Sequence, residues 1–266
     1  MGDTITPGQH VLVLFEGGKT SIQRVGEDSI HTHRGFVKLD DSLEFGQVVT
    51  TNIGRKMVLL KPVLSDYLQV ISRRTQILYP KELGYIVLSL GLRPGLRVLD
   101  AGTGSGASAA LLANFIGPAG HVLSIDNNQE SLDIAAHNLN AFGLDQIVEL
   151  RLGDITEGVG ETEAFDAAIM DLPSPWEAVR AYHDSLKSSA RVAAIVPTYN
   201  QLEKVVEGFE LGGFAVLETV DIMSQAIRVR KGAVRPLPFA RSHNAFLVIA
   251  AKTVEKVKTE PFAWRS

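Results

Sequence analysis

The spacing of apolar residues changes once along this chain. Up to about residue 63 they come in short runs: 10–16 (HVLVLFE), 47–51 (QVVTT) and 56–61 (KMVLLK). Gly17-Gly18 and Asn52-Ile53-Gly54 separate them, and smaller runs surround Ile22, Ile30, Phe36 and Val37. Short runs with turns and no helical period between them predict strands, and so a small β domain over residues 1–63. Pro62 marks its end. Residues 64–78 (LSDYLQVISRRTQIL) carry a partial helical pattern and read as a linker, placed at 64–79.

Beyond the linker, strands and helices alternate. A helix is predicted from 79–82, with Pro80 in its first turn and Leu83, Ile86, Val87 and Leu90 as its apolar stripe. Pro94-Gly95 turns the chain into a strand ending in Val98, Leu99 and Asp100. Gly102, Gly104 and Gly106 follow, and then Ala109, Leu111, Leu112, Phe115 and Ile116 at helical spacing. Further strands are predicted at 121–126, 147–154, 165–172, 191–197, 215–223 and 244–252. Helices are expected at 127–142 (Leu132, Ala135, Ala136, Leu139) and around Leu202, Val205, Val206 and Phe209. Pro173 and Pro175 predict extended backbone just past the fourth strand of this series. The alternation predicts an α/β fold, a doubly wound, mainly parallel sheet over 80–254, followed by a charged tail at 255–266.

Composition adds exclusions. The 266 residues, 45% hydrophobic, suffice for one large domain and a small one. The absence of cysteine excludes a disulfide framework, a thiol nucleophile and thiolate metal sites, and it fits a cytoplasmic protein. The first residues lack a signal-peptide pattern, and no apolar run reaches the roughly 18 residues of a membrane span. His31 and His33 would share a strand face, but no third ligand accompanies them, so no metal site is expected. The net charge of −4 gives no global attraction to nucleic acid. Local charge does. Residues 45–81 hold Arg55, Lys56, Lys61, Arg73, Arg74 and Lys81 against Asp66 alone. The long loop between the last two strands carries Arg228, Arg230, Lys231, Arg235 and Arg241, and no acid occurs from 222 to 254. Such stretches suit contacts to phosphates, although a solvated face would look the same.

The candidate chemistry centres on residues 97–106, RVLDAGTGSG. Glycines permit φ values closed to other residues and close approach of backbone to a ligand, and a helix start offers free N–H groups. Asp100, two residues before the first glycine, would repel a pyrophosphate but suits a cationic methionine moiety. D-x-G-x-G-x-G resembles the first motif of AdoMet-dependent methyltransferases with a Rossmann-like fold; a tight turn without a ligand is the plainer alternative. On the methyltransferase reading, S-adenosylmethionine is held by Asp100, Gly102, Thr103, Gly104, Ser105, Gly106 and Ala107. Asp126, closing the next strand, stands where an acid can bond ribose hydroxyls, and it also suits a helix N-terminus. Asp154 ends the third strand, where such methyltransferases commonly bind the adenine amino group. Asp171 lies at the carboxyl end of the fourth strand, where open α/β sheets carry ligands, and is the candidate for both cofactor contact and the reacting centre.

Four segments together resemble one family: 76–82 (QILYPKE), the DAGTGSG loop, 170–176 (MDLPSPW) and 241–248 (RSHNAFLV). In order and spacing they are similar to the tRNA (adenine-N1)-methyltransferases that modify the T-loop adenosine at position fifty-eight. The resemblance covers nearly the whole chain. It implies a homotetramer that binds tRNA across subunits, Asp171 as the catalytic aspartate and Tyr79 packed against the base or the cofactor. With an RNA substrate, the charge of the long loop makes Arg228, Arg230, Arg235 and Arg241 candidate RNA contacts, and His243 of the family segment joins them. The chain departs from the family pattern at Asp100 and Asp126, usually Glu, and at Ser242 and Asn244 within the family's R-G-H-T. Two alternatives stay open. One is the same fold acting on a small molecule or a protein, against which the β domain, the basic loop and DLPSPW weigh. The other is a non-catalytic tRNA-binding subunit, against which the intact glycines and acids weigh.

Overall fold

A computed structural model describes residues 3–40, 42–70, 78–237 and 243–255, without the side chains of 69 and 70. Arg73, Arg74, Arg241 and the tail beyond 255 lie outside the described residues. The chain divides into two compact units, Met1–Ile71 and Ser72–Ser266.

In the first unit the predicted runs form β1 (His10–Phe15), β2 (Thr20–Arg24), β3 (Ser29–Thr32), β4 (Gly35–Lys38), β5 (Val48–Thr50) and β6 (Lys56–Leu60). An antiparallel sheet has the order β2-β1-β6-β5, and β3-β4 form a separate hairpin. Val11, Val13, Phe15, Ile30, Met57 and Leu59 build its core. Half of the expected linker is helix α1 (Leu64–Val70), which belongs to this unit. Tyr67 of α1 meets the His10 ring edge-on at 5.6 Å. His31 and His33 do not pair: His31 bonds Ser29 Oγ, whereas His33 packs against Phe15. No metal-binding cluster occurs among the described residues.

The second unit begins with α2 (Pro80–Leu90), β7 (Arg97–Ala101), α3 (Ala107–Ile116), β8 (His121–Asp126), α4 (Gln129–Ala141) and β9 (Val148–Leu152). It continues with β10 (Phe165–Met170), α5 (Pro175–Ser185), β11 (Leu186–Val196), α6 (Tyr199–Leu211), β12 (Phe214–Asp221), β13 (Ile227–Arg228), β14 (Arg235–Pro236) and β15 (Phe246–Lys252). Seven strands form one sheet in the order β12-β15-β11-β10-β7-β8-β9, with β15 antiparallel to both neighbours. Strand order therefore reverses between β7 and β10, which makes their carboxyl ends the switch point where open α/β sheets bind ligands.

α5 and α6 cover one face of this sheet. Tyr182, Phe165, Phe209 and Phe214 are fully buried there, and the Phe209 and Phe214 rings lie 5.1 Å apart. Truncating such a ring to alanine costs about 3–5 kcal/mol. The Tyr182 hydroxyl donates to the Ile169 carbonyl and ties α5 to the strand that leads to Asp171.

Several local expectations need correction. The extended backbone past β10 stops at Ser174, because Pro175 opens α5; proline's fixed φ and missing N–H suit a first helical position. The fifth strand starts at Leu186 and reaches Arg191 through an irregularity in its pairing with β10, with Ser189 at φ 66°. Phe115 is 42% exposed and does not belong to the buried stripe of α3. The α4 helix begins at Gln129, capped by Asn128 Oδ1 accepting from Glu130 N–H. The long basic loop contains a short hairpin, β13–β14.

Candidate active site

Register sets the site. Asp100 on β7 lies opposite Ile169 on β10 and Ser124 on β8, so the three strands end level with one another. The loops that leave them are pinned there: Asp171 N–H donates to the Ala101 carbonyl, and Gly102 N–H to the Ile125 carbonyl. Gly102 has φ +86°, and a Cβ there would stand 1.8 Å from the Asp171 carbonyl oxygen. Glycine is therefore required so that the two loops can touch. Gly106, at φ +80°, lets the start of α3 approach Ala135 of α4.

The loop and strand ends wall a cavity of about 560 Å³. Gly102, Thr103, Gly104, Ser105, Ala107, Asp126, Asp154 and Asp171 of the expected site all line it. Asp100 and Gly106 lie behind this wall. Asp100 is fully buried; its Oδ2 accepts from Ser124 Oγ at 2.6 Å, and Ser124 Oγ also lies 2.7 Å from Thr103 Oγ1. Oδ1 of Asp100 is buried without a hydrogen-bond partner among the described residues. Asp126 steers the glycine loop, its Oδ2 accepting from Gly104 N–H and its Oδ1 from Asn128 N–H. Each of these oxygens keeps a lone pair for a ligand.

Electrostatics distinguish the acids. Burial pushes the Asp100 carboxyl up to about 7; the Ser124 hydrogen bond opposes this, and the charges of Asp171 and Asp126 add to it. Burial likewise raises Asp171 to about 6. Among the described residues the Asp171 carboxylate has no hydrogen-bond partner. Asp154 is held below the usual carboxylate range by the backbone and side-chain hydrogen bonds of Thr156. Keeping Asp100 ionised near neutral pH costs roughly 4 kcal/mol relative to water, since one pKa unit is about 1.4 kcal/mol. A cationic ligand would offset that cost. The cavity thus suits a molecule with a positive end and hydrogen-bonding groups for its acids and backbone.

Other expected residues fall outside the cavity wall. Tyr79 is the N-cap of α2, where its N–H donates to Glu82 Oε2, and its neighbour Leu78 is the residue that lines the cavity. Lys81 does not join a basic strip. Its side chain is 9% exposed, its Nζ lies 2.7 Å from Glu82 Oε1 in an ion pair without hydrogen-bond geometry, and it donates to the Ile222 carbonyl. Arg228, Arg230 and Arg235 are exposed on the β13–β14 hairpin. His243 sits beside the cavity wall: Nε2 is 2.8 Å from the Pro197 carbonyl, and Nδ1 is 3.2 Å from Asp221 Oδ2. Both partners only accept, so both bonds form together in the imidazolium. The Pro197 carbonyl, followed by Asp221, raises the His243 pKa accordingly.

Ile195, Pro197 and Gln201 also line the cavity, from the end of β11 and the start of α6. Gln201 Nε2 donates to the Pro173 carbonyl and joins this edge to the loop that follows Asp171. The rule that ligands gather at strand carboxyl ends points to these residues, although no motif marks them.

Comparison with known proteins adds to this geometry. A family model described as tRNA methyltransferase complex GCD14 subunit matches residues 57–257. A tRNA (adenine(58)-N(1))-methyltransferase TrmI of Thermus thermophilus is 33% identical over 82% of this chain and 86% of its own. A solved SAM-dependent O-methyltransferase of Thermotoga maritima superposes with a TM-score of 0.88 at 30% identity, over 96% and 97% of the two chains. The tRNA (m1A58) methyltransferase TrmI of Aquifex aeolicus gives 0.81 at 30% identity, over 97% and 100%.

Proposed function

The chain belongs to this family of tRNA methyltransferases, and from that premise we propose that it methylates N1 of adenine 58 in the tRNA T-loop, with S-adenosylmethionine as donor. One observation carries the reading: Asp171, whose carboxylate has no hydrogen-bond partner among the described residues, lines a cavity together with the glycine loop, Asp126 and Asp154.

The residues fit the donor. Asp100 Oδ1, without a hydrogen-bond partner among the described residues, and the charges of Asp171 and Asp126 that raise Asp100 favour a ligand with positive charge. Asp126 and Asp154 line the cavity, and on this reading Asp126 would bond the ribose hydroxyls and Asp154 the adenine amino group. When bound, S-adenosylmethionine supplies a methyl whose bond to sulfur breaks as the bond to N1 forms, leaving a neutral thioether. Adenine N1 attacks with an in-plane lone pair, so no proton has to leave first. Positive charge then passes to the base. Asp171, accepting from the exocyclic amine, makes N1 more nucleophilic and stabilises that charge. Rate comes from holding N1 in line with the methyl group. N1 is covered by pairing in folded tRNA, so the base is extruded to reach the cavity.

The β13–β14 hairpin, with Arg228, Arg230 and Arg235, holds the RNA backbone, and Arg241 completes the same basic stretch. Assembly as a homotetramer and a cytoplasmic setting complete the proposal, supported by the family resemblance. No helix among the described residues is long and apolar enough to cross a membrane. Nucleoside mass spectrometry of unmodified tRNA incubated with protein and S-adenosylmethionine tests the reaction. New N1-methyladenosine that maps to position 58 is expected; methylation of another atom or position overturns the assignment. Light scattering at four chain masses tests the assembly.

A further inference from the structure

At the rim of the cavity, between the lining residues Pro197 and Gln201, stands Tyr199, the first residue of α6. It is 74% exposed, yet its ring is held in place. The Tyr199 and Phe246 ring centroids lie 4.5 Å apart, and Phe246 is 5% exposed. The His243 ring lies 4.4 Å from the same Phe246. His243 is anchored in turn by the Pro197 carbonyl and Asp221, at the two ends of β11 and β12. Three rings thus form a cluster, Tyr199 and His243 each tilted 44° to Phe246, and Tyr199 leaves most of its surface to solvent.

Two features beside it indicate what covers that ring. Asp221, bonded to His243, begins the segment that carries Arg228, Arg230, Lys231 and Arg235 at exposed positions, and no acid occurs from 222 to 254, so this segment attracts polyanions. Gln201, two residues on, is bonded to the Pro173 carbonyl, which places this turn of α6 beside the loop carrying Asp171. A pre-positioned aromatic ring beside a cationic surface is the combination with which proteins bind unstacked nucleobases. We propose that Tyr199 is a substrate-positioning residue, a platform on which a nucleobase of the RNA next to the methylated adenosine stacks once that adenosine has left the helix. The inference rests on the tRNA reading above. It assigns Tyr199 no part in methyl transfer itself.

The test compares wild type with Tyr199→Phe, Tyr199→Leu and Tyr199→Ala in steady-state tRNA methylation. Leu keeps an apolar contact with Phe246 but has no aromatic ring. The expected result is a KM for tRNA raised roughly 5- to 100-fold in the Leu and Ala variants. Their kcat should stay within about twofold and their S-adenosylmethionine affinity should not change, while Phe behaves as wild type. In tRNA carrying 2-aminopurine beside the target adenosine, wild type and Phe should quench fluorescence further than Leu. A Leu variant with wild-type KM and quenching overturns the proposal. So does a Leu variant with an altered oligomeric state, which would make Tyr199 a contact between copies of the chain. Failure of wild-type protein to methylate tRNA would instead overturn the underlying reading, so the two failures are distinguishable.

Discussion

The cavity wall and the basic hairpin lie on the same unit and are built on opposite terms. The wall is made of the ends of buried strands; Asp171 in it and Asp100 behind it are desolvated, Asp154 is exposed, and its loops are fixed by backbone hydrogen bonds between strands. The hairpin has two residues per strand, every one of them exposed, and no core of its own. It is held at its ends instead, by Lys81 on the Ile222 carbonyl and by His243 on Asp221 and Pro197. Buried, pre-arranged charge suits chemistry at a single atom, because little reorganisation is needed at the moment of reaction. Exposed cations suit a backbone of repeating phosphates. The difference implies that rate and RNA affinity are separable by mutation.

The largest effect should come from Asp171→Ala. Methyl transfer at saturating substrates should fall about 10²- to 10⁴-fold, while tRNA affinity by filter binding stays within about threefold. Equal loss of both would make Asp171 structural. Next comes Gly102→Ala, in which the new Cβ meets the Asp171 carbonyl at a left-handed φ. Strain there should cost about 3 kcal/mol or more, a fall of roughly 6–12 °C in Tm for a unit of this size. S-adenosylmethionine binding by calorimetry should be lost with it.

A third effect concerns pH. The folded-state pKa of Asp171 is raised to about 6, so its contribution to stability is complete below the ordinary carboxylate range and is lost as pH rises through 6. Asp171→Asn removes that titration. The variant should match wild type near pH 4 and exceed it at pH 8 by on the order of 2–3 kcal/mol, read from denaturant melts without cofactor. The smallest effect on the fold belongs to the hairpin. Replacing Arg228, Arg230 and Arg235 together by alanine should leave stability within about 0.5 kcal/mol. It should weaken tRNA binding and reduce the steepness of its salt dependence by up to about 2–3.

The same contrast governs what is legible in the sequence. The glycine loop and the strands around it can be read because buried strands and amphipathic helices impose strong periods, and Asp100, Asp126, Asp154 and Asp171 follow from strand ends. The α5 helix cannot, since Pro173 and Pro175 read as extended and its buried face includes the small residues Ala178, Ala181 and Ser185. The hairpin reads as a loop because two-residue, wholly exposed strands leave no alternation. Lys81 carries the same charge as its basic neighbours, and its partners in Glu82 and the Ile222 carbonyl come from folding. Pro197 and Gln201 reach the cavity by topology, because the crossover through α5 sets the end of β11 beside that of β10.

Single-turnover methylation with saturating S-adenosylmethionine and increasing tRNA measures the separation directly, comparing Asp171→Ala with the triple hairpin variant. The hairpin variant should reach the wild-type rate at high tRNA concentration, whereas the Asp171→Ala plateau should stay at least about a hundredfold lower. A hairpin variant whose plateau remains depressed, beside an Asp171→Ala protein restored by excess tRNA, would contradict the division of labour between cavity and hairpin.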